Sequence, residues 1–229
     1  MLCHTRYTVT LITKISGGKK MYKTKELFDT KRTVVGAYLE KFEYPYEIIP
    51  MIESIIAEII NTLGDEYTEI KKGVFVSENA RISDRATLIG PAIICEGAEI
   101  RPNAYIRGNA VIGCGAVIGN ATEVKNSIVF DFAQLPHYNY VGDSIIGTHA
   151  HFGAGCIASN LRLDKKSIRI KDGEEILDTG LRKLGAIVGD GCEIGCGSVL
   201  CPGTVIGKSS IIYPKTTVKG VIKAGAIIK

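Results

Sequence analysis

A strict six-residue period is the feature that most limits what this chain can become. Large aliphatic residues recur at Val76, Ile82, Leu88, Ile94, Ile100, Ile106, Ile112, Ile118 and Val124, and again at Val188, Ile194, Leu200, Ile206, Ile212 and Val218. Four residues after most of them stands a small one: Ala80, Ala86, Ala92, Ala98, Ala104, Ala110, Ala116 and Thr122, then Cys192, Ser198, Thr204, Ser210 and Thr216. A helix would repeat every 3.6 residues and an alternating strand every 2. A strict six matches a parallel β-helix of hexapeptides, in which three hexads close one triangular coil. The aliphatic side chain points inward, the small one lets the corner close, and each coil pairs its backbone with the next about 4.8 Å away. Composition agrees. Tryptophan is absent and aromatics are 7% of the chain, so the core has to be built from Ile, Val, Leu and Ala.

The expected fold class is therefore mainly β, a parallel β-helix over residues 74–229. Residues 21–73 read as a small helical cap. Ile48, Ile52, Ile55, Ile59 and Leu63, joined by Ile49, Ile56 and Ile60, make a wide apolar stripe with Pro50 in its first turn and Gly64 past its end. A weaker helix is expected near Lys25 to Phe42. The cap is expected to cover one end of the β-helix, because an open solenoid end is an unpaired sheet edge. Residues 1–20 read as a disordered or loosely attached leader, with Met21 as an alternative start. Two breaks interrupt the period. The first is Phe130 to Tyr140. The second, Asn160 to about Gly185, carries Ser167-Ile-Arg-Ile and Glu175-Ile-Leu around Lys171-Asp-Gly-Glu, a projecting β-hairpin.

Charge and cysteine usage exclude several classes. A net charge of +4 with scattered Lys and Arg does not suit a nucleic-acid binder. No apolar run reaches the roughly 20 residues needed to span a bilayer. Seven cysteines without a Cys-x-x-Cys pair read as reduced thiols rather than disulfides or a zinc site. The expected location is cytoplasmic, with no membrane partner.

Function in a solenoid concentrates where the repeat is broken. Arg107 and Lys125 each follow an inward aliphatic and lie 18 residues apart, one coil, so they should stack at one corner. Two such cations suit a bridging anion, or are simply solvated surface charges. Asp143 is the next residue of that column if the first break keeps the count. His137 lies in the first break, where its imidazole suits a general base. His149 and His151 alternate on one expected strand.

Four motifs in order complete the reading: Arg107-Gly-Asn; Gly119-Asn-Ala-Thr-Glu-Val-Lys125; Pro136-His-Tyr-Asn-Tyr-Val-Gly-Asp143; and Gly153-Ala-Gly-Cys-Ile-Ala-Ser-Asn160. With them, residues 74–220 resemble the left-handed β-helix acyltransferases. The specific likeness is to the acetyltransferase domain of the bifunctional UDP-N-acetylglucosamine pyrophosphorylase/glucosamine-1-phosphate N-acetyltransferases. The insertion ending Thr179-Gly-Leu-Arg-Lys-Leu-Gly is most similar to the archaeal-type sugar-1-phosphate nucleotidylyltransferases that carry this domain. The resemblance implies a left-handed coil and a homotrimer with acetyl-CoA, a co-substrate, bound between neighbours and no metal required. It implies His137 as base and Asn160 beside it, with Arg107, Lys125, Tyr140 and Lys166 on a sugar phosphate. His151 stands where bacterial relatives have Asn beside the substrate amine. Ala154, Cys196 and Pro214 fall on the acetyl-CoA site, the last two where small residues are usual. Residues 1–70 hold only Gly17-Gly18, Gly36 and Gly64, not a Gly-rich nucleotide loop, so pyrophosphorylase activity is not expected.

The leading expectation is acetyl transfer from acetyl-CoA to an amino-sugar 1-phosphate. The alternatives are a non-catalytic trimeric sugar-phosphate-binding or scaffold module, and a metal lyase like the γ-class carbonic anhydrases using His137, His149 and His151.

Overall fold

A computed structural model describes residues 21–229; the leader at 1–20 and the expectations about it lie outside the described residues. The chain winds into the expected left-handed parallel β-helix with three walls. The first wall has nine strands, the second eight and the third seven. Their strands are parallel except Tyr67–Lys71, which pairs antiparallel with Val74–Ser77 at the start of the first wall. The predicted inward aliphatics fill the prism: Ile94, Ile100, Ile106, Ile112, Ile118 and Val124 are all 0–1% exposed. The alanines at the corners, Ala98, Ala104, Ala110 and Ala116, belong to the same core. Corners turn through left-handed backbone. At the edge between second and third walls these residues are Asn103, Ala121, Tyr138, Gly155, Gly197 and Lys215, with φ between 52° and 72°.

The first expected break is not an interruption. Inward residues continue as Val124, Val129, Leu135, Val141 and Ile146, all buried. Two hexads have simply lost one residue each, at the edge between third and first walls. Register partners there, Val111 with Ile128 and Ile128 with Ile145, are 17 residues apart instead of 18. Asn126 and Asp143 turn these tight corners with φ of 46° and 50°. Ser127 and Ser144 brace them, each hydroxyl donating to the carbonyl two residues back at 2.8 Å. The slip corrects one expectation: Gly142, not Asp143, stands in register with Lys125.

The helical segment also departs from its expected place and form. The stretch from Lys25 to Phe42 holds two single turns, Thr24–Leu27 and Gly36–Leu39, rather than one helix. Pro45–Met51, containing Pro50, is a 3-10 helix that leads into an α-helix over Ile52–Ile60. This arm does not sit on an end of the β-helix. It lies along the outer face of the first wall. Leu27, Phe28, Leu39, Ile48, Ile52, Ile56 and Ile59 share one core with Ile93, Val111, Ile128, Phe130, Ile145, Ile187 and Val205. The reason is that this wall is apolar on its outside as well as its inside, and that surface has to be covered. Phe28 and Phe130 meet at a centroid distance of 5.0 Å. The Asp29 and Ala224 amides donate across the seam to Asp190 and Tyr22.

The hairpin forms as expected, Arg169–Asp172 paired antiparallel with Glu175–Asp178. It does not project. Ile168 and Ile170 are buried in the same arm-side core, folding the hairpin back over the first wall. Gly203 makes room for it: a Cβ there would lie 2.6 Å from Ile168 Cγ2. Among the described residues no helix is long and apolar enough to cross a membrane.

Candidate active site

The edge between second and third walls carries a vertical stack. His137 ends the strand Gln134–His137, and its carbonyl accepts the Gly155 amide at 3.0 Å. The Ala154 carbonyl accepts from Gly197 at 2.8 Å and the Cys196 carbonyl from Lys215 at 2.8 Å. Successive coils therefore place His137, Ala154, Cys196 and Pro214 in one column, all four exposed. Glycine is required one coil before the histidine, because a Cβ on Gly119 would lie 1.6 Å from the Pro136 carbonyl oxygen. Asn139, which sequence reasoning missed, fixes the turn. It is buried; its Oδ1 accepts from the His137 amide at 3.3 Å and its Nδ2 donates to the Gly153 carbonyl at 2.8 Å. The imidazole itself has no hydrogen bond or ion pair among the described residues and is free to meet a ligand.

A second group of polar residues lies on the third wall and its edge with the first. Arg107 and Lys125 occupy neighbouring strands in register, as their spacing predicts. They do not form an open pair of cations. Arg107 Nη1 bonds Glu123 Oε1 at 2.7 Å, and Lys125 Nζ lies 3.3 Å from Asp143 Oδ2. Asn126 Nδ2 donates to Asp143 Oδ1 at 2.8 Å. Asn160 Nδ2 donates to the Tyr140 hydroxyl at 3.1 Å and to Asp143 Oδ2. Burial raises the Tyr140 hydroxyl's pKa above the ordinary phenol value, so it stays a proton donor. Arg107, Lys125, Tyr140 and Asn160 thus belong to one network whose carboxylates, Glu123 and Asp143, balance its cations.

Two clefts open along this edge, beneath the arm. One, of about 350 Å³, is lined by Ile49, Pro50, Glu53, Arg107, Asn109 and Lys125 among others. The next, of about 590 Å³, runs from Asp143 to the insertion. Both share Ile49, Pro50 and Asn126. Lys166 is exposed and lines neither; its neighbour Lys165 lines the second.

The remaining histidines do not converge. His149 is not on a strand with His151: it turns a corner at φ 55° and stacks on Phe132 at 5.0 Å. His151 stands on the second wall, Nδ1 2.9 Å from Glu193 Oε2. Three imidazoles held apart in this way do not make the shared corner a metal triad needs. No group of three His, Cys, Asp or Glu among the described residues is placed to hold a metal ion.

Residues 88–179 match the family described as the GMPPB C-terminal domain. The bifunctional sugar-1-phosphate nucleotidylyltransferase/acetyltransferase of Sulfurisphaera tokodaii is 36% identical over 109 residues, 48% of this chain and 27% of that protein. The bifunctional protein GlmU of Methanococcus maripaludis is 43% identical over 94 residues, 41% of this chain and 22% of that protein. The uncharacterised acetyltransferase YaiX of Escherichia coli is 31% identical over 152 residues, 66% of each chain. The chain thus spans about a quarter of the length of the bifunctional relatives it matches. It belongs to the hexapeptide-repeat acyltransferases and is related to the C-terminal domains of the GlmU-like bifunctional enzymes.

Proposed function

We propose that the chain transfers an acetyl group from acetyl-CoA to the amine of an amino-sugar 1-phosphate. The observation that carries this reading is the stack of His137, Ala154, Cys196 and Pro214 on one edge, an unpartnered imidazole heading a column of short side chains. A thioester donor laid along that column would bring its carbonyl to the histidine. His137 takes the proton from the acceptor ammonium and passes it to solvent; as the free amine attacks the thioester carbonyl carbon, the imidazole takes a second N–H proton. The Ala154 amide, which has no backbone acceptor among the described residues, is available to the oxyanion. Collapse breaks the carbon–sulfur bond, and the imidazolium returns its proton to the departing CoA thiolate. Proximity in the ternary complex supplies much of the rate.

The acceptor lies across the third wall, its hydroxyls toward Tyr140, Glu123 and Asn160. Three residues of strand separate His137 from the Lys125 edge, roughly 10 Å at 3.3 Å per residue, which is the length of a phosphorylated hexose. Asn160 is held at the far side of that wall, so it acts by positioning Tyr140 and Asp143 rather than beside the base. A homotrimer with acetyl-CoA between neighbouring prisms completes the reading.

Release of free thiol from acetyl-CoA with glucosamine-1-phosphate, then with other amino-sugar phosphates, tests it. His137→Ala should lower kcat by about 10²- to 10⁴-fold while leaving CoA binding intact. His151→Asn should be mild, because His151 is tied to Glu193 on the second wall, away from the third wall across which the acceptor is laid. An absence of thiol release with every amino-sugar phosphate tried sinks the proposal.

A further inference from the structure

The three basic residues at the second cleft have no part in the network just described. The insertion leaves the coil at Asn160 and returns at Leu184, and its two ends are pinned together. Leu161 forms an antiparallel bridge with Lys183, and the Leu184 amide donates to the Asn160 carbonyl at 3.0 Å. Lys165 sits on the turn that follows, in left-handed backbone at φ 58°. The pinning therefore brings Lys165, Arg182 and Lys183 to one mouth. Two other cations of the insertion are neutralised: Arg162 bonds Asp164 at 2.6 Å and Arg169 bonds Asp178 at 3.5 Å. Lys165, Arg182 and Lys183 have no ion pair within the described residues. The rest of the lining is Asn126, its bonded partner Asp143, which Lys125 and Asn160 also share, and the apolar group Ile49, Pro50, Leu161 and Leu181.

From this arrangement we infer that the second cleft is an anion site for a phosphate or diphosphate borne on an organic body, and that the body is the acceptor. Arg107 and Lys125 already carry carboxylate partners, so an entering phosphate would have to displace Glu123 or Asp143. The cleft beside them offers three uncommitted cations and no competing free carboxylate, and charge-assisted bonds from Arg and Lys are the strong ones for phosphate. At about 590 Å³ the space holds a diphosphate with part of a nucleoside as readily as one phosphate. The acceptor is favoured over the donor because the cleft adjoins the one lined by Arg107 and Lys125, sharing Ile49, Pro50 and Asn126 with it, whereas the donor column runs down the opposite edge of the third wall. The arm is then part of the site, since Ile49 and Pro50 wall both clefts. The identity of the ligand rests on the acyl-transfer reading; the presence of an anion site does not.

The test uses the full chain and a Lys165→Ala/Lys183→Ala variant, with unchanged melting as the control for folding. Calorimetry with inorganic pyrophosphate should show binding to the parent, weakened at least about tenfold in the variant. Equal pyrophosphate affinity in both overturns the site, whether or not the protein has transferase activity. Binding lost in the variant of a protein that proves inactive leaves the site standing and removes only the acyl-transfer reading. In turnover, KM for the phosphorylated amino sugar should rise at least tenfold, while KM for the same sugar without phosphate and for acetyl-CoA should not change. A rise for acetyl-CoA that is absent with acetyl-pantetheine, which lacks the nucleotide, would assign the cleft to the donor and overturn the acceptor assignment.

Discussion

Asp143 is the residue on which the third-wall network turns, and Asp143→Asn is the sharpest probe of it. Its side chain is 6% exposed. One oxygen accepts from Asn126 Nδ2 at 2.8 Å and the other from Asn160 Nδ2, with Lys125 Nζ 3.3 Å from the latter. Asparagine keeps the shape but offers only one oxygen. Whichever way its amide is turned, its NH₂ faces either Asn126 or Asn160, and both present donors. One half-buried donor then faces another donor, at a cost of about 1–2 kcal/mol, toward the low end because water can reach it. Lys125, whose side chain is 22% exposed, also loses its counter-charge. That loss falls below the 3–5 kcal/mol for breaking a fully buried pair, because the ammonium can still reach water. The sum is roughly 2–4 kcal/mol. Urea unfolding followed by circular dichroism should show the unfolding free energy falling by that amount, through a lower midpoint with the m-value unchanged. Asn160→Ala in the same background should cost less than it does in the parent, since Asn160 has already lost its main acceptor. A loss under about 0.5 kcal/mol, with additive single substitutions, would show that these contacts organise nothing.

Three further outcomes follow from the packing. Phe28→Ala should destabilise the whole molecule by about 3–5 kcal/mol in a single transition, because Phe28 packs on Phe130 inside a core that spans arm and wall; a separate early transition of the arm would contradict this. Removal of residues 1–73 should expose the outer face of the first wall and give an aggregating protein, and light scattering that shows a well-behaved β-helix would refute it. Among the described thiols, maleimide should label Cys196 first, since it is the exposed one while burial pushes Cys156 and Cys192 up to about 11; acetyl-CoA should slow that labelling, and peptide mapping with and without it checks both.

The interior of the prism was legible in the sequence because a single demand, an aliphatic every sixth residue, is repeated in every coil. The slips were not, because losing one residue at a corner looks like losing the repeat. A readable signal did exist. Asn109-Ala110, Asn126-Ser127 and Asp143-Ser144 place a residue tolerant of left-handed backbone before a small one, 17 residues apart across each of the last two steps. The arm's own stripe announced burial without saying against what. The partner was nevertheless written in the residue before each inward position. In the second wall these are Arg81, Glu99, Val117, Gln134, His151, Glu193, Ile211 and Ile227, and in the third Thr87, Tyr105, Glu123, Tyr140, Ile157, Val199 and Thr217, polar and apolar mixed in both. In the first wall they are Ile93, Val111, Ile128, Ile145, Ile187 and Val205, apolar without exception. Of the candidate site, the stacking of Arg107 and Lys125 followed from coil arithmetic, whereas His137, Ala154, Cys196 and Pro214 were singled out by the family resemblance. The pairing of each cation with a carboxylate did not, because Glu123 and Asp143 reach their partners across coils.

The covered wall also limits how copies of this chain could meet. With the arm and the hairpin lying on the first wall, only the second and third walls remain bare, and the edge they share is the one that carries His137, Ala154, Cys196 and Pro214. Apolar side chains stand exposed on both bare walls: Ile157 is 40% exposed, Ile211 40%, Tyr213 45% and Ile227 59%. A neighbour packed by its prism would therefore approach that edge and turn the open column into a groove. The same neighbour could not reach the second cleft without displacing Ile49 and Pro50 of the arm. Donor and acceptor phosphate are thus assigned to opposite edges of the third wall for one reason: the arm closes one edge from within the chain and leaves the other to be closed from outside.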